Sequence, residues 1–81
     1  MKLYYTERFR KNLKAAPPAV QKALAKQVLL LVVNFRHPSL RAKKYDEAQD
    51  IWQARISKDW RFYFTIEGDT YILRNLLAHP K

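Results

Sequence analysis

The chain contains no cysteine. That excludes disulfide cross-links, thiolate zinc sites and cysteine nucleophiles together. Two histidines, His37 and His79, are too few to complete a structural zinc site. Glycine occurs once, at Gly68, so there is no glycine-rich phosphate loop. Acidic residues are scarce, 7 Asp+Glu, and show no metal-ligand spacing. Ser39 and Ser57 sit in no nucleophile motif. The longest apolar run, Val28–Val33, falls far short of the ~20 residues of a membrane span. The N-terminal MKLYYTERFRK lacks the apolar core of a secretory signal. These absences predict a soluble, cytoplasmic protein with no metal, no cofactor and no membrane partner.

What is present is basic and aromatic. The 81 residues suffice for one domain, spanning 1–81. A domain this small buries only ~60–65% of the surface its unfolded chain exposes, so its core is thin. The 48% apolar and 14% aromatic content nonetheless argues against disorder. Sixteen Lys+Arg give a formal net charge of +9. Such a field concentrates polyanions: nucleic acid first, an acidic protein second. The alternative is a coat that serves solubility alone.

Periodicity divides the chain. Lys2–Tyr5 reads as a short strand with Leu3 and Tyr5 on one face. Thr6 is a good N-cap, followed by Glu7 at the positive end of a helix dipole. Phe9 and Leu13 share one face of this first helix, which Pro17-Pro18 ends. Pro18 opens a second helix. Val20, Leu24, Val28, Leu31 and Phe35 form its apolar stripe, and Pro38 stops it near Arg36 or His37. Lys22 and Lys26 lie off that stripe. Residues 38–50 read as a solvated loop.

The last third alternates as strands do. Trp52, Ala54 and Ile56 share one face of Ile51–Ser57. Trp60, Phe62, Phe64 and Ile66 share one face of Trp60–Glu67. Gly68-Asp69 makes a tight turn. Thr70–Ala78 is apolar on both parities, as a strand inside a sheet is. The predicted order is β-α-α-β-β-β. This is an α+β domain with a helical hairpin on one face of a mainly antiparallel four-stranded sheet.

The other sheet face then carries Arg55, Arg61 and Tyr63. Arg55 and Arg61 fall close together across a short hairpin. Two guanidinium groups repel unless an anion separates them, and a phosphodiester suits their planar forks. A carboxylate such as Glu67, or water, would serve as well. Tyr63 suits base stacking or plain cross-strand packing. His79 titrates in the neutral range and is the candidate general acid or base, unless the chain end simply frays there. Chemistry without a metal or a protein nucleophile remains. RNA cleavage qualifies, because the 2′-hydroxyl is itself the nucleophile and the protein need only orient, neutralise and move protons.

The N-terminal strand, the basic helical hairpin and the run IWQARISKDWRFYF over residues 51–64 resemble the RelE/ParE toxins of bacterial toxin–antitoxin systems. The resemblance spans nearly the whole chain. It implies a ribosome-dependent mRNA interferase whose product is a 2′,3′-cyclic phosphate and a 5′-hydroxyl. It implies an acidic antitoxin as partner, together with the ribosome and mRNA, and operator DNA only through the antitoxin complex. By the same resemblance Arg61 matches the family arginine that contacts the scissile phosphate. Gln53 and Arg55 fall where RelE has two strand lysines. His79 matches the C-terminal catalytic histidine of YoeB-like and HigB-like members. The YoeB-like carboxylate base would fall near Ala42 and has no counterpart there. Catalytic Arg61, Arg55 and His79 are accordingly expected, with Lys43, Lys44, Lys58 and Tyr63 binding RNA. The ParE-like branch, which poisons DNA gyrase, and a toxin reduced to a binding module are the alternatives.

Overall fold

The computed structural model describes residues 1–78. Five strands and two helices follow the order β1 (Lys2–Tyr5), α1 (Glu7–Ala15), α2 (Pro18–Val33), β2 (Lys43–Asp46), β3 (Ile51–Ser57), β4 (Trp60–Glu67) and β5 (Thr70–Ala78). A 3-10 turn, Pro38–Leu40, precedes β2. The sheet runs β1-β5-β4-β3-β2, with β1 parallel to β5 and every other pair antiparallel. The expected α+β arrangement is present, with one strand more than predicted.

That strand is β2, inside the segment read as a loop. Its sequence, KKYD, carries no apolar alternation, so nothing in it announced a strand. It is a short sheet edge, and charged lysines at an edge deter pairing with a second chain. The second helix also ends earlier than predicted, at Val33. Asn34 leaves helical geometry, which lets Phe35 turn inward and meet Trp52 edge-on at 5.5 Å. His37 therefore lies beyond α2, where its Nδ1 accepts from the Ser39 amide and caps the 3-10 turn.

Thr6 ties the first strand and helix to the sheet. Its hydroxyl oxygen accepts from the Phe9 amide as an N-cap and donates to the Leu73 carbonyl at 2.8 Å. Beyond Tyr5 no described strand lies beside the edge of β5. There Asn12 of α1 accepts from the Leu76 amide. An orphaned sheet edge is thus closed by side chains.

Both helices pack on the aromatic face. Phe9, Leu24, Leu31, Leu40, Phe62, Phe64, Leu73 and Leu76 are the largest fully buried side chains. Each contributes on the order of 1.5–3 kcal/mol of burial. The mixed parity of β5 has a local cause. Tyr63 pairs with Asn75 and Phe64 with Leu73, so Arg74 is an extra residue, a β-bulge. Tyr71 and Leu73 point to the core before it, and Leu76 does after it. Gly68 adopts φ +59 in the β4–β5 turn, a conformation that side-chain-bearing residues resist.

Candidate nucleic-acid interface

On the sheet face away from the helices, Arg55 of β3 and Arg61 of β4 are direct cross-strand partners. The two cations predicted to be neighbours are neighbours. Neither is ion-paired with a described carboxylate. Glu67, the anion considered as their alternative partner, instead pairs with Arg74 at 3.5 Å, and Arg74 also donates from Nε to Thr65.

The two arginines are held differently. One nitrogen of Arg61, Nη1, donates to the carbonyls of Ser57 at 2.8 Å, Trp60 at 3.0 Å and Lys58 at 3.3 Å. It fastens the β3–β4 turn. Arg55 lines a cleft of about 580 Å³ between α2, the 3-10 turn and the end of β3. Lys26 and Arg41 share that cleft, and no described carboxylate lines it. Three cations around one concavity raise the local potential for anions.

The walls of the cleft are fixed. Gln27, a buried polar residue of α2, donates from Nε2 to the Arg55 carbonyl at 2.8 Å and to the Ser39 carbonyl at 3.2 Å. One amide so ties helix, turn and strand together. Arg41 sits at φ 47, in the left-handed region. A bulky residue there is strained, and such strain concentrates at functional sites.

Tyr63 takes up the cross-strand packing that was one of its two readings. Its hydroxyl accepts from Gln53 Nε2 at 3.0 Å, and its ring meets Tyr45 edge-on at 4.9 Å. It is packed, and it forms part of an aromatic wall on the open face. Lys43 lies opposite Gln53 and is exposed. Lys44 lies opposite Trp52, with its ammonium 4.9 Å from the ring centre and bonded to Asp50. That hydrogen bond raises its pKa above the usual lysine value. The two lysines therefore face different sides, and only Lys43 shares a side with the arginines. Lys58 is exposed in the β3–β4 turn. His79 lies outside the described residues.

Lys26, Gln27, Arg41, Tyr45 and Asn75 were not predicted as site residues. Lys26 was legible only as a cation off the apolar stripe. Arg41 and Tyr45 fell in the supposed loop. Asn75 belonged to a strand whose parity the bulge concealed.

An α+β sheet with a basic open face and a helical hairpin behind it defines a recognisable class: the fold is that of the RelE/ParE toxins. The chain superposes on YafQ from Escherichia coli BL21(DE3) with a TM-score of 0.79 at 16% identity, covering 95% of this chain and 91% of that one. It superposes on the YoeB dimer structure from Staphylococcus aureus with a TM-score of 0.81 at 10% identity, covering 99% and 98%. For RelE with RelB from Methanococcus jannaschii the TM-score is 0.76 at 21% identity, covering 93% and 88%. No protein-family model matches the sequence, and no curated protein does. At these identities the likeness is one of fold.

Proposed function

We propose that this protein is the toxin of a toxin–antitoxin system and cuts mRNA on the ribosome without a metal ion. The observation that carries this reading is the Arg55–Arg61 cross-strand pair, with no described carboxylate paired to either. The 2′-oxygen of RNA attacks the adjacent phosphorus as its proton is removed. A pentacovalent phosphorane forms, and its added charge falls beside the two guanidinium groups. The bond from phosphorus to the 5′-oxygen then breaks, and that oxygen takes a proton, a step assigned to His79. The products are a 2′,3′-cyclic phosphate and a 5′-hydroxyl. Lys26 and Arg41 continue the cationic surface along the cleft beside Arg55 and suit further backbone phosphates. Lys43 and Lys58 extend it on the exposed surface.

The test is to map 5′ ends of cellular mRNA after brief induction. Cuts in register with codons are expected, and they should vanish in Arg61→Ala. If Arg61→Ala stays fully toxic, the assignment of that residue fails. The bonding of Arg61 to three turn carbonyls favours one other reading, a ParE-like toxin that inhibits gyrase by binding. Under that reading DNA-damage signalling rises before translation stops.

An acidic antitoxin is the expected partner. RelE from M. jannaschii and YafQ from E. coli have been crystallised with RelB and DinJ, respectively. On this chain Leu29 is 70% exposed and Val33 83% exposed, one turn apart on α2. Lys22 and Lys26 lie exposed on the same helix. An amphipathic acidic segment suits such a surface. Copurification with the protein of the neighbouring small reading frame at moderate salt is expected. Loss of that association in Leu29→Asp would locate the contact on α2.

A further inference from the structure

A second concavity on the open face is built unlike the cationic cleft. Tyr45, Tyr63, Leu77 and Asn75, with Ile51, enclose a hollow of about 100 Å³. That is well below the ~300–1,000 Å³ of sites that take whole drug-sized ligands, and it suits a single inserted ring. Its aromatic wall is preorganised, because Gln53 holds the Tyr63 hydroxyl and Tyr45 abuts the Tyr63 ring. Tyr45 itself is 62% exposed, so it presents aromatic surface to solvent. Asn75 is half-buried, and its side-chain amide bonds to no described residue. A carboxamide offers two donors and an acceptor, which matches the edge of a nucleobase.

Ile51 and Asn75 also line a larger cleft of about 340 Å³, so the two concavities adjoin. The larger one holds Arg8 and Arg74. Arg8 is in the first turn of α1, where a cation opposes the helix dipole. No described carboxylate pairs with it; Glu7 pairs with Lys11 instead. A locally unfavourable, unneutralised cation beside a cleft is the pattern of a ligand-binding residue.

We infer that these adjoining concavities form a subsite for one nucleotide of single-stranded RNA. The base enters against Tyr45 with its edge read by Asn75, and its phosphate lies toward Arg8, while Arg74, already paired with Glu67, forms part of the cleft wall. The inference rests on the endoribonuclease reading and names the residues that would set its base preference. Arg61 is paired with Leu77, a wall of the hollow, so the selected base would sit beside the phosphate to be cut.

The experiment uses the purified protein and short 2′-O-methyl RNA homopolymers, which bind but offer no nucleophile for cleavage. Anisotropy is read as a function of salt. Tyr45→Ala should weaken binding about 5- to 150-fold, the span of one lost base stack. Arg8→Gln should lower the slope of log K against log salt by about 0.7, one phosphate contact on a single strand. Asn75→Leu should level the differences among the four homopolymers. Circular dichroism confirms that each variant is folded. Binding unchanged in Tyr45→Ala and Arg8→Gln, or no binding by the parent protein, overturns the subsite. Because the probe is uncleavable, absence of mRNA cuts in cells would sink the nuclease reading without touching this result.

Discussion

The two faces of the sheet are made by the same strands and obey different rules. Under the helices, Phe62 and Phe64 are fully buried and close on one another at 5.8 Å between ring centres. On the other side, the residues between and beside them are Arg61, Tyr63 and Thr65, and the neighbouring strand adds Gln53 and Arg55. The buried face satisfies itself through packing. The open face leaves Arg55 and the Asn75 amide without a described side-chain partner. Alternation in a strand thus separates stability from recognition by a single residue step.

The largest test of that division is a pair of substitutions. Phe62→Ala should cost about 3–5 kcal/mol, a large part of the total stability of so small a domain, and urea titration reads it. Arg55→Ala, on the other face, should move the same transition by no more than ~0.5 kcal/mol while abolishing or sharply reducing RNA cleavage. A large loss of stability in Arg55→Ala would break the comparison.

Arg61 tests where the division blurs, since it both fastens the turn and faces the proposed phosphate. Arg61→Ala should lower cleavage by about 10²–10³-fold, as expected for a lost charge-stabilising donor. It should also reduce stability by about 1 kcal/mol, because turn carbonyls lose their donor. Single-turnover cleavage and denaturant titration measure the two separately.

Thr6 acts at the sheet edge, between the faces. Thr6→Val removes the cap of α1 and the bond to the Leu73 carbonyl, and should cost about 1–2 kcal/mol in a urea titration. Arg41→Gly has the opposite signature. Relief of the left-handed backbone should leave stability unchanged within ~1 kcal/mol, while loss of one cation flattens the salt dependence of RNA binding.

The smallest expected effect is alkaline. Burial raises the pKa of the Tyr71 phenol, and bonding to Asp50 raises that of Lys44. Both groups hold their protons more tightly when folded. Their contributions are complete below about pH 10, the unfolded value, and fade as pH rises toward the folded one. Thermal melts above pH 10 should therefore decline less steeply in Tyr71→Phe.

Much of this protein was legible before its tertiary structure. The Thr6 cap, the Pro17-Pro18 break, the alternation of β3 and β4 and the Gly68 turn are local effects. They fix element order, the α+β class and the shared face of Arg55 and Arg61, because helix and strand periods and backbone sterics act over a few residues. The rest depended on contacts distant in sequence. β2 exists because β3 offers it an edge, and the Arg74 bulge sets which residues of β5 reach the open face. Phe35 leaves the helix to meet Trp52. Lys26, Arg41 and Arg55 line one cleft only because Gln27 draws α2, the 3-10 turn and β3 together. Asn75 and Tyr45 come to line one hollow only across two intervening strands. Sequence period decides which way a side chain points, whereas packing decides what it points at.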